Sequence, residues 1–417
     1  MDDRRQLIDN TGTLESSGDG TTVSGFNASG KKEENQALTT CLAIGIALLW
    51  PWNCLLSASL FFQQTLFTDS TVYAAIYTST MMTTSTGASL VYNFYLSQRQ
   101  SGYVNRVSRG LECQAGVFGA LCVLVLAHRA IPMPLTFVLL MALVLLSSLA
   151  TTMTQNGIMA ITNIYGPSYS RAVMVGQAIA GVLPSVVMFV LSLATQQERQ
   201  SSGSAIVYFL STVGISVTAL LLYRSSSLHA GLVTPAQAIH VPFRLLYSRL
   251  QAVVLSIFIT FLFSLSFPVF ANATLAAVLL PNSQFIPLAF TIWNAGDLFG
   301  RLVADRPWVQ AASIPHRLLA ASALRGFMIP VFFLFNINGT HPHSGLLLDL
   351  LYLFWHLFFG LTNGLFITLA FMSVSALLDS DDQRKAASGF TNLFLALGLT
   401  CGSIFSYLVV FLLPSVH

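Results

Sequence analysis

The sequence predicts an all-α polytopic membrane protein of about eleven transmembrane helices, divided six and five by one long polar connection. Two observations carry this. Of 417 residues, 54% are hydrophobic and only 8% are charged, whereas a soluble surface needs about a quarter of its residues charged. The apolar residues also fall into stretches of membrane-spanning length, since a helix rising about 1.5 Å per residue needs about 20 residues to cross roughly 30 Å of hydrocarbon.

Residues 1–36 are polar, rich in Gly, Ser and Thr, and without apolar periodicity, which predicts a disordered cytosolic tail. The first long apolar run begins too far in for a cleavable signal peptide. Six spans follow, near 37–63, 71–97, 110–128, 132–163, 171–194 and 205–223, forming an N-terminal bundle over 37–223. A cytosolic linker at 224–247 carries Arg224, His229, His240 and Arg244. Five more spans, near 248–269, 284–304, 317–336, 348–377 and 387–412, form a C-terminal bundle over 248–417. A cytosolic N-terminus places 16 of the 19 basic residues on the inner side, leaving Arg129 and Arg199 outside and Arg325 within a span. That skew satisfies the positive-inside rule, and an odd number of spans then puts the C-terminus outside the cell or in a lumen.

Several function classes are disfavoured. A net charge of +3 is too small to suggest a nucleic-acid partner. No phosphate-cradling loop is present, which argues against primary pumping. Cys41, Cys54, Cys113, Cys122 and Cys401 fall within or beside apolar segments and read as packing residues, with no cofactor or metal implied. Chemistry inside the membrane would need a Ser/His pair, two aspartates or a His cluster. His356, the one histidine well inside a span, reads as a packed side chain. Transport leads, with the substrate between the two bundles near the midplane.

Polar residues inside spans must find partners or line a wet cavity. The second span carries a Ser/Thr ladder from Tyr77 to Thr86, with Tyr77, Thr80 and Thr84 on one face. The fourth carries Ser148, Thr151, Thr152, Gln155 and Asn156. Hydroxyls often bond back to a carbonyl one turn earlier, but an amide has donors and an acceptor to satisfy, so Gln155 and Asn156 point more strongly to a polar pathway. In the eighth span Asn294, Asp297 and Arg301 share a stripe at i, i+3 and i+7. They form either a transport site or a packing salt bridge. Arg325 has no acid in its own span and either pairs with Asp297 or reaches for the inner face. Gly296 with Gly300, Gly360 with Gly364 and Gly398 with Gly402 predict close helix contacts. Pro51, Pro184 and Pro268 lie inside spans, where each removes a donor and can bend its helix.

These residues resemble the equilibrative nucleoside transporters. The resemblance rests on Trp50-Pro51-Trp52-Asn53, Gly176-Gln177-Ala178-Ile179-Ala180-Gly181, Ser266-Phe267-Pro268, Phe285-Ile286-Pro287 through Asn294, Asp297 and Gly300-Arg301, and Thr362-Asn363-Gly364, which follow the family's order over almost the whole membrane region. It implies a major-facilitator-like fold lacking one helix, and transport of nucleosides, in some members nucleobases, most simply by a monomer in lipid. Carried over by position, Trp52, Asn53 and Leu56 would face the nucleobase. Gln155 would bond its edge, and Asn294, Asp297 and Arg301 would bind or hold the ribose site. Gln177, Gly181, Phe267, Pro268, Arg325, Asn363 and Gly364 would gate or pack. The loop near 64–70 and the linker are shorter than in many mammalian members. A carboxylate already paired with a cation is a poor proton carrier, which favours facilitated diffusion; the alternative is a proton-coupled carrier of nucleosides or another solute.

Asn272 and Asn338 begin glycan acceptor triplets in loops that this topology puts on the non-cytosolic side. Asp3, Leu7 and Ile8 form a pattern similar to an acidic dileucine signal, so the expected address is the plasma membrane or a lysosomal or vacuolar membrane.

Overall fold

The computed structural model describes residues 20–67, 72–194, 202–230, 240–312, 314–340 and 345–413. The chain divides into a short unit ending at Gln36 and a body from Ala37 to His417. Helix α1 runs Gly20–Ser57, so residues 20–36 are helical where the sequence suggests disorder. Lys31, Lys32, Glu33 and Glu34 are good helix formers, and adding turns to an existing helix is far easier than nucleating one. The sorting candidates Asp3, Leu7 and Ile8 lie outside the described residues.

The long helices of the body continue as α2 (Val72–Gln98), α3 (Tyr103–Ala127), α4 (Met133–Tyr165), α5 (Pro167–Ala194), α6 (Ser202–Ser225), α7 (Phe243–Ser264), α8 (Asn282–Val303), α9 (Pro315–Leu324), α10 (Leu346–Ser373) and α11 (Asp381–Leu412). Among the described residues, 8 stretches are long and apolar enough to cross a membrane on composition alone. They belong to every long helix except α2, α8 and α9. The missing ones are informative: α2 carries the Ser/Thr ladder, α8 carries Asn294, Asp297 and Arg301, and α9 is short.

Three elements depart from expectation for identifiable reasons. The ninth span is not one helix over 317–336. After α9 the chain tightens into a 3₁₀ turn at Arg325–Phe327 and resumes as Met328–Phe332, where Pro330 has no N–H to continue the ladder. The seventh span starts earlier, at Phe243, stops at Ser264 and resumes as Phe267–Ala273, with Pro268 in the first turn, where its missing donor costs nothing. The expected linker at 224–247 is shortened from both ends by α6, a short helix Ser227–Ala230 and α7. Gly166, at φ 121°, makes the abrupt reversal from α4 to α5.

Helix α3 packs on α4 and α6, α2 packs on α4, and α4 on α5. In the second group α7 packs on α9, α10 and α11, and α8 on α10. The two groups meet where α5 touches α8 and α10, and where α2 and α4 touch α11. The apolar core divides accordingly. At the end that carries the α6–α7 linker, one core joins both groups, running from Cys41 and Ile44 through Val173, Leu250 and Phe371 to Phe390. Toward the opposite end each group has its own: Phe61, Tyr77, Phe118 and Phe209 in the first, Phe270, Phe285, Phe332 and Tyr352 in the second.

The α7–α8 connection at that opposite end is held by one carboxylate. Asp349, in the first turn of α10 and 3% exposed, accepts from the backbone N–H groups of Ala277 (3.0 Å), Val278 (2.9 Å) and Leu279 (3.0 Å). Replacing it with alanine strands these donors and is expected to cost on the order of 3 kcal/mol, read as a lowered thermal transition in detergent. An unchanged transition would mean the connection holds itself. Asn272 is exposed beside this connection, and Asn338, half-buried, turns the chain at φ 50°.

Candidate functional site

The polar candidates gather round α5, which packs against α8 and α10 of the second group. Its segment from Met174 to Gly181 meets partners on several sides. Asn53 of α1 donates from Nδ2 to the Ala180 carbonyl at 2.7 Å. Gln177 Nε2 donates to Gln155 Oε1 of α4 at 2.7 Å, which leaves Gln155 Nε2 without a protein partner. Asn294 of α8 sits against Gly181, where a Cβ would come within 2.7 Å of its Oδ1. Arg301 Nη1 donates to the Met174 carbonyl at 2.6 Å. Glycine at 181 lets α8 approach closely enough for a residue of the second group to stand beside two of the first.

Trp52, Asn53, Leu56, Gln155, Gln177 and Asn294 are all half-buried. Trp52 and Leu56 rest their apolar surface on the core of the first group. Trp50 packs on the same core and donates to Ser211 Oγ of α6 at 2.9 Å. In the second group Phe267 stacks on Trp293, next to Asn294, at 4.0 Å between centroids and 4° between planes. The half-buried Trp293 keeps its indole Nε1 unpartnered. Trp293 lies in the motif that carries the resemblance, yet nothing in the spacing marks it as a site residue; only the stack on a different helix does.

Asp297 and Arg301 are deeper, at 4% and 7% exposure. Arg301 Nε donates to Asp297 Oδ2 at 2.9 Å, and Asn363 Nδ2 of α10 donates to Oδ1 at 2.6 Å. The pair is therefore one end of a chain that runs from Asn363 to Ser264 and on to Arg325. Arg325 neither pairs directly with Asp297 nor reaches the membrane face. It is 2% exposed, and donates to the Thr260 carbonyl (3.0 Å), the Phe359 carbonyl (3.2 Å) and Thr362 Oγ1 (3.2 Å), with its guanidinium 4.5 Å over the Phe359 ring. The break in α9 sits at this arginine.

Glycine brings α8 and α10 together. A Cβ on Gly296 or Gly300 would strike the α10 backbone, and one on Gly360 or Gly364 the α8 backbone at Trp293 and Asp297. Gly398 and Gly402 likewise lie on α7, so all three small-residue pairs are packing seams within one group.

The ladder on α2 is not assembled into this site. Tyr77 is fully buried in the core of the first group with its hydroxyl on Met81 Sδ (3.2 Å), and Thr80 bonds back to the Ile76 carbonyl (2.8 Å). Asn156 accepts from Arg106 rather than facing Gln155's neighbours. His356 is a fully buried side chain between Tyr352 and Phe332. Pro268 opens the short helix that carries Asn272.

The model of a family described as nucleoside transporters matches residues 140–234 and 229–411. The nucleoside transporter FUN26 of Saccharomyces cerevisiae is 39% identical over 442 aligned positions, covering 92% of this chain and 86% of that protein. The chain belongs to the nucleoside transporter family. Equilibrative nucleoside transporter 3 of Rattus norvegicus is 23% identical, over 88% of this chain and 87% of its own. Among solved structures, the proton:xylose symporter XylE superposes with a TM-score of 0.64 at 11% identity, covering 91% of this chain and 89% of that one. The fucose transporter FucP superposes at 0.58 and 14% identity, covering 89% and 91%. The fold of this nucleoside transporter family member is thus that of the major facilitator superfamily. It is a multi-pass membrane transporter and not an enzyme.

Proposed function

We propose that this protein carries nucleosides across its membrane by facilitated diffusion through alternating access, working as a monomer. The observation that carries the reading is the division of the apolar core: joined across both groups at the linker end, separate in each group at the other. A carrier needs a seam that is closed on one side and free to part on the other, with polar groups of both halves between. Asn53, Gln155 and Gln177 on one side and Asn294 and Trp293 on the other stand in that position. A nucleoside suits them: aromatic rings for the base plane, the free Gln155 amide hydrogen for an acceptor on the base edge, and amides for the sugar hydroxyls.

Asp297 and Arg301 then serve the ribose from beneath, by holding α8 against α10 and α5, or meet it directly once the halves move. The basic skew favours a cytosolic linker end, so the joined core would close the cytosolic side, with the C-terminus, Asn272 and Asn338 facing outside or a lumen. The cell surface and the lysosomal or vacuolar membrane are the two addresses this reading leaves.

The test is uptake of labelled adenosine and uridine into proteoliposomes without an ion gradient. Saturable uptake that only equilibrates, and that falls about tenfold for Gln155→Ala through loss of one base contact, is the expected result. Accumulation driven by an inward proton gradient would replace facilitated diffusion by symport. No nucleoside uptake by folded protein would overturn the substrate.

A further inference from the structure

The closed seam between α2, α4 and α11 holds amides that the protein leaves unsatisfied. Asn392 of α11 is 1% exposed, and neither its Oδ1 nor its Nδ2 has a protein partner. Asn93 of α2 (4% exposed) has an unpartnered Oδ1, and Asn156 of α4 (fully buried) an unpartnered Nδ2. Packing fixes their level. A Cβ on Gly389 would lie 2.7 Å from the Ser97 Cα and 3.3 Å from Asn156 Nδ2, so Gly389, Ser97 and Asn156 meet at one height. Helices α2 and α11 run antiparallel, and one turn from that contact, away from the linker end, stand Asn93 and Asn392. On α4 the same step reaches Thr152, which shares a hydrogen bond of 3.1 Å with Ser89, itself the acceptor for Asn93 Nδ2 through its carbonyl at 3.0 Å. Gln155 lies between these two levels.

We propose that Asn392, with Asn93 and Asn156, forms a second substrate subsite that reads the donor and acceptor edge of the nucleobase as the linker end parts. This rests on the nucleoside reading above. A buried carboxamide without partners costs more than its hydrogen bonds would return, so a seam that keeps one has a use for it. Its oxygen and NH2 lie side by side, which matches a ring nitrogen next to an exocyclic amine, the pairing by which Asn and Gln hold adenine. The subsite draws on both groups, so a base held there bridges α11 to α2 and α4 while the seam around it opens. Gln155 faces α5 and Asn156 faces α11 at nearly the same depth, so a base at that depth is read from two sides.

The test compares adenosine with purine riboside, which lacks the exocyclic amine, in proteoliposome uptake by wild type and Asn392→Leu, a side chain of similar size with no amide. Monodisperse elution and an unshifted thermal transition establish folding. The expected result is a fall of about tenfold in the adenosine to purine riboside uptake ratio, with Asn392→Gln retaining more of the ratio than Leu. A variant that slows both substrates equally, or neither, would make Asn392 a packing residue and overturn the subsite. If Asn392→Leu does not fold, Asn93→Ala and Asn392→Ser are measured on the same ratio with the same two outcomes. Wild-type protein that carries neither nucleoside removes the transport reading and the subsite with it, whereas wild-type uptake with an unchanged ratio removes the subsite alone.

Discussion

Gly364→Ala is expected to lower the thermal transition markedly and to cut transport more than tenfold. The added Cβ would lie 2.7 Å from the Asp297 carbonyl carbon and 3.0 Å from its Cα. Those are backbone atoms in the middle of α8, which cannot rotate away as a side chain would, so α8 and α10 must separate. Overpacking of this kind costs about 1–3 kcal/mol or more. Separation also pulls Asn363 from Asp297, and with it one end of the polar chain to Arg325. Gly87→Ala on α2 is the control: nothing lies within 4 Å of its Cβ position, and alanine there should be neutral or slightly stabilising. A G364A protein that melts and transports like wild type would show that the α8–α10 seam yields freely, against the rigid contact described above.

Asp297→Ala should be the most damaging change among the polar residues. It leaves the 7% exposed Arg301 with the Met174 carbonyl and Met174 Sδ as its remaining partners, and leaves Asn363 Nδ2 without an acceptor. Removing one partner of a buried ion pair costs roughly 3–5 kcal/mol, mostly as the penalty for the charge left behind. The double variant Asp297→Ala/Arg301→Ala removes that stranded charge and should recover part of the thermal stability of the single variant without recovering transport. Stability that does not return would mean that Asp297 acts mainly through Asn363. Wild-type uptake by the single variant would take the pair out of the transport machinery altogether.

Much of this was legible before any coordinates. Hydropathy gives the spans because a bilayer imposes one length on every helix that crosses it, and the i, i+4 spacing of Asp297 and Arg301 gives their salt bridge because it is local. The Gly pairs announced seams for the same reason. The ladder on α2 was open to both readings, because hydroxyl spacing on one face does not reveal whether a threonine bonds its own helix, as Thr80 does, or something across a gap. Arg325 could not be placed either, since each of its four hydrogen-bond acceptors lies on α7 or α10, at least 34 residues away.

The sequence alone therefore settles class, span count, the uneven spread of charge and family, all of which follow from composition, period and local motif. Which helices meet, and so which polar groups share a site, was decided only in three dimensions. Asn53, Gln155 and Asn294 converge because glycines at 176 and 181 let α1 and α8 close on α5, and Asn392 stands out only once its amide is seen to be buried without a partner. Long-range packing of this kind leaves no periodic trace along a chain, because it depends on the shape of two surfaces at once.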